Sequence, residues 1–239
     1  MYTNDYNRDS YDISRQSQAA LANTVSSAMK RVYFKMTLAL VVTALTALWA
    51  SSSYGYLSFI ASHTWMMWVL IAAELGLVFT ISGAINKLSS VAATALFYLF
   101  AVVNGLMLCT VFLAYSPAAI TKTFFITAGT FGAMSVYGYF TPNDLSKVGS
   151  FLFMALIGLI IASVVNIFLH SSTLDWIVSI AGVLIFIGLT AWDTQQIKTM
   201  AMNMPADSIS KLATVGALSL YLDFINLFLY LLRIFGNRD

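Results

Sequence analysis

The chain has 239 residues, of which 59% are hydrophobic and only 9% are charged, and its mean hydropathy is +0.82. Soluble domains carry about 25% charged residues, because a surface that faces water needs ionic groups. The composition therefore argues against a soluble protein. The net charge of +2, without any basic run, argues against a nucleic-acid partner. A single cysteine, Cys109, leaves no internal disulfide and no cysteine-rich metal site.

Residues 1–30 form a polar tail in which charged residues alternate with Tyr, Asn and Ser. The tail lacks the apolar core of a signal peptide, so the first hydrophobic stretch is expected to remain as a membrane anchor. Segments of this composition bury too little apolar surface to fold alone. We therefore predict a partly disordered cytoplasmic tail over 1–30 and a transmembrane domain over 31–237.

Seven hydrophobic stretches follow the tail, each near the length of about 20 residues that a helix needs to cross the hydrocarbon layer. Short polar connections separate them, and all three prolines lie in these connections. Connections this short favour helical hairpins packed side by side. We predict an all-α integral membrane protein with seven transmembrane helices, over 32–54, 64–85, 91–115, 121–140, 148–169, 176–196 and 212–235.

The distribution of lysine and arginine predicts the orientation of these helices. With the N-terminus in the cytoplasm, nine of the 12 basic residues fall inside and three, Lys122, Arg233 and Arg238, fall outside. This bias follows the positive-inside rule. A six-span alternative, in which the last segment is re-entrant, would place Arg233 and Arg238 inside.

Few ionisable residues lie within the predicted spans, where such groups are costly and mark function by default. Lys35 begins the first span and is expected to extend to the headgroups. Glu74 lies in the second span, Asp193 near the end of the sixth, and Asp223 near the middle of the seventh.

The last span carries a regular polar pattern whose spacing of three and four residues places every member on one face of a helix. We expect this stripe to face protein or water. Its members are Gly216, Ser219, Asp223, Asn226, Tyr230 and Arg233.

Asp193 and Gln196 are three residues apart in the sixth span, and the sixth and seventh spans are expected to be antiparallel neighbours. Asp193 and Asp223 could then share one proton or bind one hard cation such as Ca²⁺ through their oxygens. Such a pair would respond to both pH and divalent ions. Small residues such as Gly129, Gly132 and Gly138 in the fourth span, and Gly158 in the fifth, predict close helix packing.

Five segments in order along the chain resemble the Bax inhibitor-1 family of membrane proteins, also called the transmembrane Bax-inhibitor-motif family, in its bacterial form. They are RVYFKM at 31–36, ELGL at 74–77, NDLSKVGS at 143–150, AWDTQQIK at 191–198 and the last span at 220–236. The resemblance implies seven helices with the last helix central in the bundle, and a bacterial inner membrane location.

The resemblance also implies a calcium leak gated by a di-aspartyl pair, which maps onto Asp193 and Asp223. Glu74 would supply a further oxygen, with Gln196, Ser219 and Asn226 in support. Where some relatives carry an arginine that pairs with the aspartates, this chain has Lys87, which lacks the bidentate geometry of arginine.

Other functional classes remain open at this point. A regulator without transport activity would use the tail over 1–28 to bind and restrain a membrane-bound protease. An intramembrane aspartyl protease needs a Gly-x-Gly-Asp motif, but Tyr221 and Leu222 precede Asp223. We therefore expect no enzymatic activity and no cofactor beyond transient Ca²⁺.

Overall fold

The structure, a computed structural model, describes residues 3–205 and 208–236, with side chains from Arg15 onward. Within these ranges the chain forms eight helices and no strand. The helices are α1 (Thr3–Ser52), α2 (Tyr54–Ser62), α3 (Trp65–Gly83), α4 (Ser90–Ala114), α5 (Pro117–Phe140), α6 (Ser146–Leu169), α7 (Ser172–Asn203) and α8 (Ile209–Phe235).

Serines in the connections set where four of these helices begin. In each case the serine hydroxyl accepts a hydrogen bond from a backbone N–H in the first turn, which otherwise lacks a partner. Pro117 adds a preset backbone angle at the start of α5. The polar breaks predicted from the sequence thus coincide with helix starts. The four capping serines are Ser53, Ser89, Ser116 and Ser171.

Six of the described helices are long and apolar enough to cross a membrane, namely α1, α3, α4, α6, α7 and α8. Helices of this kind make lipid contact the expected environment of the chain. Helix α5 occupies the position of the predicted fourth span and has 24 residues. Its most apolar stretch is less hydrophobic than those of these six helices, and it includes Lys122 and several threonines.

Helix α1 extends well beyond the predicted first span. It begins at Thr3 and includes the segment for which the sequence suggested partial disorder, so the expected boundary at residue 30 lies inside one continuous helix. Residues 15–23 are exposed, whereas Val25 and Ala28 are buried against the bundle. These apolar contacts favour a helical rather than a disordered chain leading into the first span.

Helix α8 is the most buried of the candidate spans and packs against α1, α3, α4, α5 and α7. Helices α3 and α6 are the least buried and leave most of their apolar surface facing outward. Burial thus decreases from α8 to the peripheral helices, so the candidate site residues of α8 lie in the interior of the bundle.

Glycine brings α7 into close contact with α5 and α6. A Cβ atom added to Gly138 of α5 would collide with the backbone of Ala191, and one added to Gly149 of α6 would collide with the ring of Trp192. The predicted close packing is therefore confirmed at Gly138. It was wrong for the other three glycines of the prediction, because no atom lies within 4 Å of a Cβ added to Gly129, Gly132 or Gly158.

Candidate functional site

The polar stripe of α8 faces α7, as its spacing predicts. Four contacts follow one another along the two helices in opposite directions, which confirms that α7 and α8 are antiparallel neighbours. They join Gly216 to Ile197, Ser219 to Asp193, Tyr230 to Gly182, and Arg233 to Asp175. The last of these is an ion pair of 3.2 Å.

Asp193 and Asp223 meet at this interface. Their carboxyl groups lie within hydrogen-bonding reach of each other. The Ser219 hydroxyl donates a hydrogen bond to Asp193 Oδ2. Asp223 is buried, with 5% of its surface exposed, and its Oδ2 atom has no hydrogen-bond partner among the described residues.

This donor set does not satisfy two anions, of which Asp223 is buried and Asp193 half-buried. Two ionised carboxylates present four oxygens, and Ser219 supplies one proton donor among the described contacts. Leaving two like charges together in an apolar interior is strongly unfavourable. A single proton between Asp193 and Asp223 removes one charge and provides the missing donor, so the geometry favours one shared proton.

Within the described part of the chain, three residues expected to support the pair make no hydrogen bond or ion pair to it. Gln196 instead lines a surface depression beside Asn143 and Asp144. The Asn226 amide donates instead to the carbonyl of Leu222 in its own helix.

Lys87 is exposed in the connection between α3 and α4, where its charge stays hydrated. The ion pair of Arg233 with Asp175 is the only one among the described residues. Lys87 therefore makes no ion pair with the aspartates among the described residues.

Glu74 lies apart from the aspartate pair, in a second polar cluster. Its Oε1 atom accepts a hydrogen bond of 2.8 Å from the Asn104 amide. Tyr221 donates to Asn104 Oδ1 over 3.0 Å, and the Tyr221 and Thr43 hydroxyls are hydrogen-bonded at 2.6 Å. The chain of contacts thus links α3, α4, α8 and α1.

Sequence reasoning missed the partners of Glu74, because they lie on three different helices and share no periodic pattern. Asn104 offered the only usable signal, since an amide in the middle of a span needs a polar partner. Tyr221 is a neighbour of Asp223 in sequence, but it points away from α7 toward α4 and α1.

Tyr221→Phe is expected to lower the free energy of unfolding by about 1–3 kcal/mol, because the buried Asn104 oxygen loses its donor. The matched control is Tyr98→Phe, since the hydroxyl of Tyr98 makes no hydrogen bond to a described residue. Denaturant unfolding in detergent, followed by tryptophan fluorescence, measures both variants. Equal stability of the two would contradict the role of the Tyr221 hydroxyl.

Lys35, at the start of the predicted first span, is hydrogen-bonded to two neighbouring helices. Its ammonium group donates to Thr94 Oγ1 at 2.9 Å, to Thr214 Oγ1 at 2.7 Å and to the Ser210 carbonyl at 3.4 Å. Acceptors from α4 and α8 therefore satisfy the ammonium group, which sequence reasoning did not predict.

The α7 segment around Asp193 is fixed from two further sides. Besides the contacts at Gly138 and Gly149, the Gln195 side chain donates to the Asn143 carbonyl and accepts from the Leu145 N–H, each over 2.8 Å. These bonds attach the α5–α6 connection to α7. Asp193 is thereby held on a rigid segment, a condition for a precise carboxyl contact.

Asp144 lies exposed in the same connection and accepts a hydrogen bond from the Ser146 N–H at 2.9 Å. Hydrogen bonds from Ser146 hold the pKa of Asp144 below its ordinary value. A carboxyl with a lowered pKa stays ionised as the solution becomes mildly acidic and loses its charge only in stronger acid. A response to pH near neutrality therefore does not arise from this connection.

The residues at the pair suit a hard cation only in part. Asp193, Asp223 and Ser219 together offer five oxygens, whereas Ca²⁺ takes six to eight. Among the described residues there is no group of three or more His, Cys, Asp or Glu side chains that would hold a metal. The arrangement suits an ion that passes and keeps part of its water, rather than one that stays.

Several helices long and apolar enough to span a membrane, with a carboxyl pair at the interface of two of them, define a polytopic α-helical membrane protein. The sequence model of the family described as "Inhibitor of apoptosis-promoting Bax1" matches residues 25–239. The chain belongs to this family, the Bax inhibitor-1 family, which confirms the resemblance found in the five segments.

Bacterial relatives cover nearly the whole chain. The inner membrane protein YbhL of Escherichia coli K12 is 47% identical over 213 residues, which are 88% of this chain and 91% of that protein. An uncharacterized protein of Borreliella burgdorferi is 45% identical over 229 residues, or 95% of this chain and 98% of the relative. The uncharacterized protein RP147 of Rickettsia prowazekii is 43% identical over 211 residues, which are 88% and 89% of the two chains.

Proposed function

We propose that the protein is a pH-sensitive leak pathway for Ca²⁺, gated by Asp193 and Asp223 at the interface of α7 and α8. One observation carries the proposal: two carboxyl groups meet inside the bundle, and the only hydroxyl donor to them among the described contacts, Ser219, donates to Asp193. The chain has no catalytic step in this proposal.

The gate follows from the two charge states of the pair. With one shared proton, an O–H···O bond holds α7 and α8 together. Without it, two anions repel each other in surroundings of low dielectric, unless a divalent cation takes the place of the proton. Ca²⁺ is therefore both the ion that passes and a competitor for the proton.

We further propose seven spans, with α5 as the fourth, α8 central and the N-terminus in the cytoplasm. The 24 residues of α5 give a length of about 36 Å, enough for a hydrocarbon layer of about 30 Å. The burial of α8 and its contacts with five helices support the central position. The ion pair of Arg233 with Asp175 weakens the objection to an arginine on the outer side.

We assign the protein to the bacterial inner membrane. The support comes from the E. coli relative YbhL, an inner membrane protein that is 47% identical over most of both chains.

Calcium flux into liposomes tests the leak directly. The purified chain is reconstituted with a Ca²⁺-sensitive dye inside the vesicles, and the initial rate is measured over a series of pH values. We expect a protein-dependent flux that changes with pH. The matched control is Asp175→Asn, which removes an exposed carboxylate of α7 outside the pair. A flux equal to that of protein-free vesicles at every pH would contradict the proposal.

A regulator that binds a membrane-bound protease is the second candidate, and the exposed residues 15–23 of α1 favour it. Truncation should end before Val25, because Val25 and Ala28 pack in the core. Removal of residues 1–23 is expected to abolish capture of the protease in crosslinked membranes and to leave Ca²⁺ flux unchanged. Loss of flux on this truncation would contradict the separation of the two activities.

A further inference from the structure

A groove of about 600 Å³ lies between α1 and α5 at the end of the bundle where α1 enters it. One stripe of each helix forms its walls: Ser26, Lys30 and Tyr33 of α1, and Gly132, Val136 and Phe140 of α5. Residues spaced by three or four lie on one face of a helix, so the groove runs along both helices. The eight helical steps from Gly132 to Phe140 give it a length of about 12 Å.

The walls of the groove are mainly apolar and open to the lipid side. Val136 and Phe140 are 59% and 72% exposed, and no atom lies within 4 Å of a Cβ added to Gly132. A space of this shape, bounded by exposed apolar side chains in a membrane protein, suits a hydrocarbon chain better than a hydrated ion.

Two polar features sit at defined depths in this apolar space. Lys30 is exposed at the mouth. Further in, Ser135 lines the groove with 6% of its surface exposed, and its hydroxyl has no hydrogen-bond partner among the described residues. A buried hydroxyl without a partner costs free energy, which a ligand with an acceptor oxygen would recover.

The charge of the groove identifies the ligand further. No acidic residue is among the side chains that line it. Lys198 adds a second cation next to it, with its ammonium 4.9 Å from the centre of the Tyr139 ring, which lines the groove. A pair of lysines repels Ca²⁺ and attracts phosphate, so this groove is not the calcium path.

We propose that the groove between α1 and α5 binds one anionic phospholipid, with its phosphate at Lys30, an ester oxygen at Ser135 and an acyl chain along Gly132. The order of these groups along a phospholipid matches the order of the residues from the mouth inward. The inference rests on the groove alone and is independent of the leak proposed above.

Native mass spectrometry of the full chain tests the site with two probes, dioleoyl phosphatidylglycerol and dioleoyl phosphatidylcholine. The wild-type chain is expected to retain one phosphatidylglycerol about fivefold more often than phosphatidylcholine, as expected for a lysine near the phosphate. Lys30→Gln should remove this preference. Lys122→Gln, a change of another exposed lysine at the opposite end of α5, should leave it intact.

A second pair of variants tests the groove itself. Gly132→Leu, whose Cβ meets no atom within 4 Å, fills the acyl position and should reduce retention of phosphatidylglycerol at least to the level of Lys30→Gln. Gly129→Leu, on the same helix and equally free of close neighbours, lies outside the groove and should bind as the wild type does. Unchanged retention in Gly132→Leu, or equal retention of both lipids by the wild-type chain, would overturn the proposal.

Discussion

Asp223→Asn is expected to abolish the pH response of the Ca²⁺ flux. The amide has nearly the shape of a carboxyl group and always carries N–H donors, so it reproduces a permanently protonated partner for Asp193. The pair can then no longer change its charge by releasing the shared proton. A site that binds one proton changes the ratio of its protonated to its deprotonated form up to about tenfold per pH unit. The Ca²⁺ flux of the wild type should therefore vary strongly with pH, whereas the flux of the variant should stay constant.

The variant is measured in the same liposome assay over the same pH series, beside Asp175→Asn. The control carries the same change of side chain on an exposed carboxylate of α7 and should keep the wild-type profile. An Asp223→Asn profile that retains both the flux and its pH response would exclude gating by the pair. If the Ca²⁺ flux of Asp175→Asn did not change with pH, the pH response would belong to the ion pair of Asp175 with Arg233 instead.

Gly138→Ala is expected to lower the free energy of unfolding by about 1–3 kcal/mol, in spite of the higher helix propensity of alanine. The added Cβ atom would collide with the backbone of Ala191, which cannot move aside as a flexible side chain could. The collision pushes α5 away from the segment of α7 that carries Asp193. The change should therefore also weaken the contact between Asp193 and Asp223.

Gly129→Ala is the matched control, since no atom lies within 4 Å of its added Cβ. In that position alanine should be neutral or stabilising by up to about 1 kcal/mol. Unfolding of both variants by denaturant in detergent, followed by circular dichroism, gives the comparison. Equal stability of the two variants would show that α5 and α7 can move apart at Gly138 without a loss in the free energy of unfolding, and it would contradict the prediction.

The sequence was sufficient to predict the α7–α8 interface. The spacing along the last span placed Ser219, Asp223, Tyr230 and Arg233 on one face, and helical geometry alone determines that face. The short connection between the sixth and seventh spans predicted that α7 packs against α8. Asp193 of α7 indeed contacts Ser219 on the polar face of α8. Local periodicity carries this information without knowledge of the rest of the bundle.

Contacts between helices distant in sequence were not predictable in this way. The acceptors of Lys35 come from α4 and α8, and Glu74 reaches Tyr221 only through Asn104. Each contact depends on how the helices are arranged around one another, which no single helix encodes.

The glycines of α5 illustrate the same limit. Gly129, Gly132 and Gly138 look alike in the sequence, yet only Gly138 meets a neighbouring backbone. Small residues allow close approach, but the position of α7 decides where the approach occurs. The extension of α1 was missed because the burial of Val25 and Ala28 depends on the assembled bundle.

The shared proton between Asp193 and Asp223 is the central claim, and infrared difference spectroscopy of the carboxyl stretch tests it most directly. Spectra of the wild-type protein near neutral pH, minus those of each single variant, isolate the signal of the pair from those of all other carboxyl groups in the chain. We expect a protonated-carboxyl band in the wild type that is lost in both Asp193→Asn and Asp223→Asn, because each variant leaves one carboxylate with amide donors beside it. A band that persists in either variant would show that the proton belongs to one aspartate alone and would contradict the account.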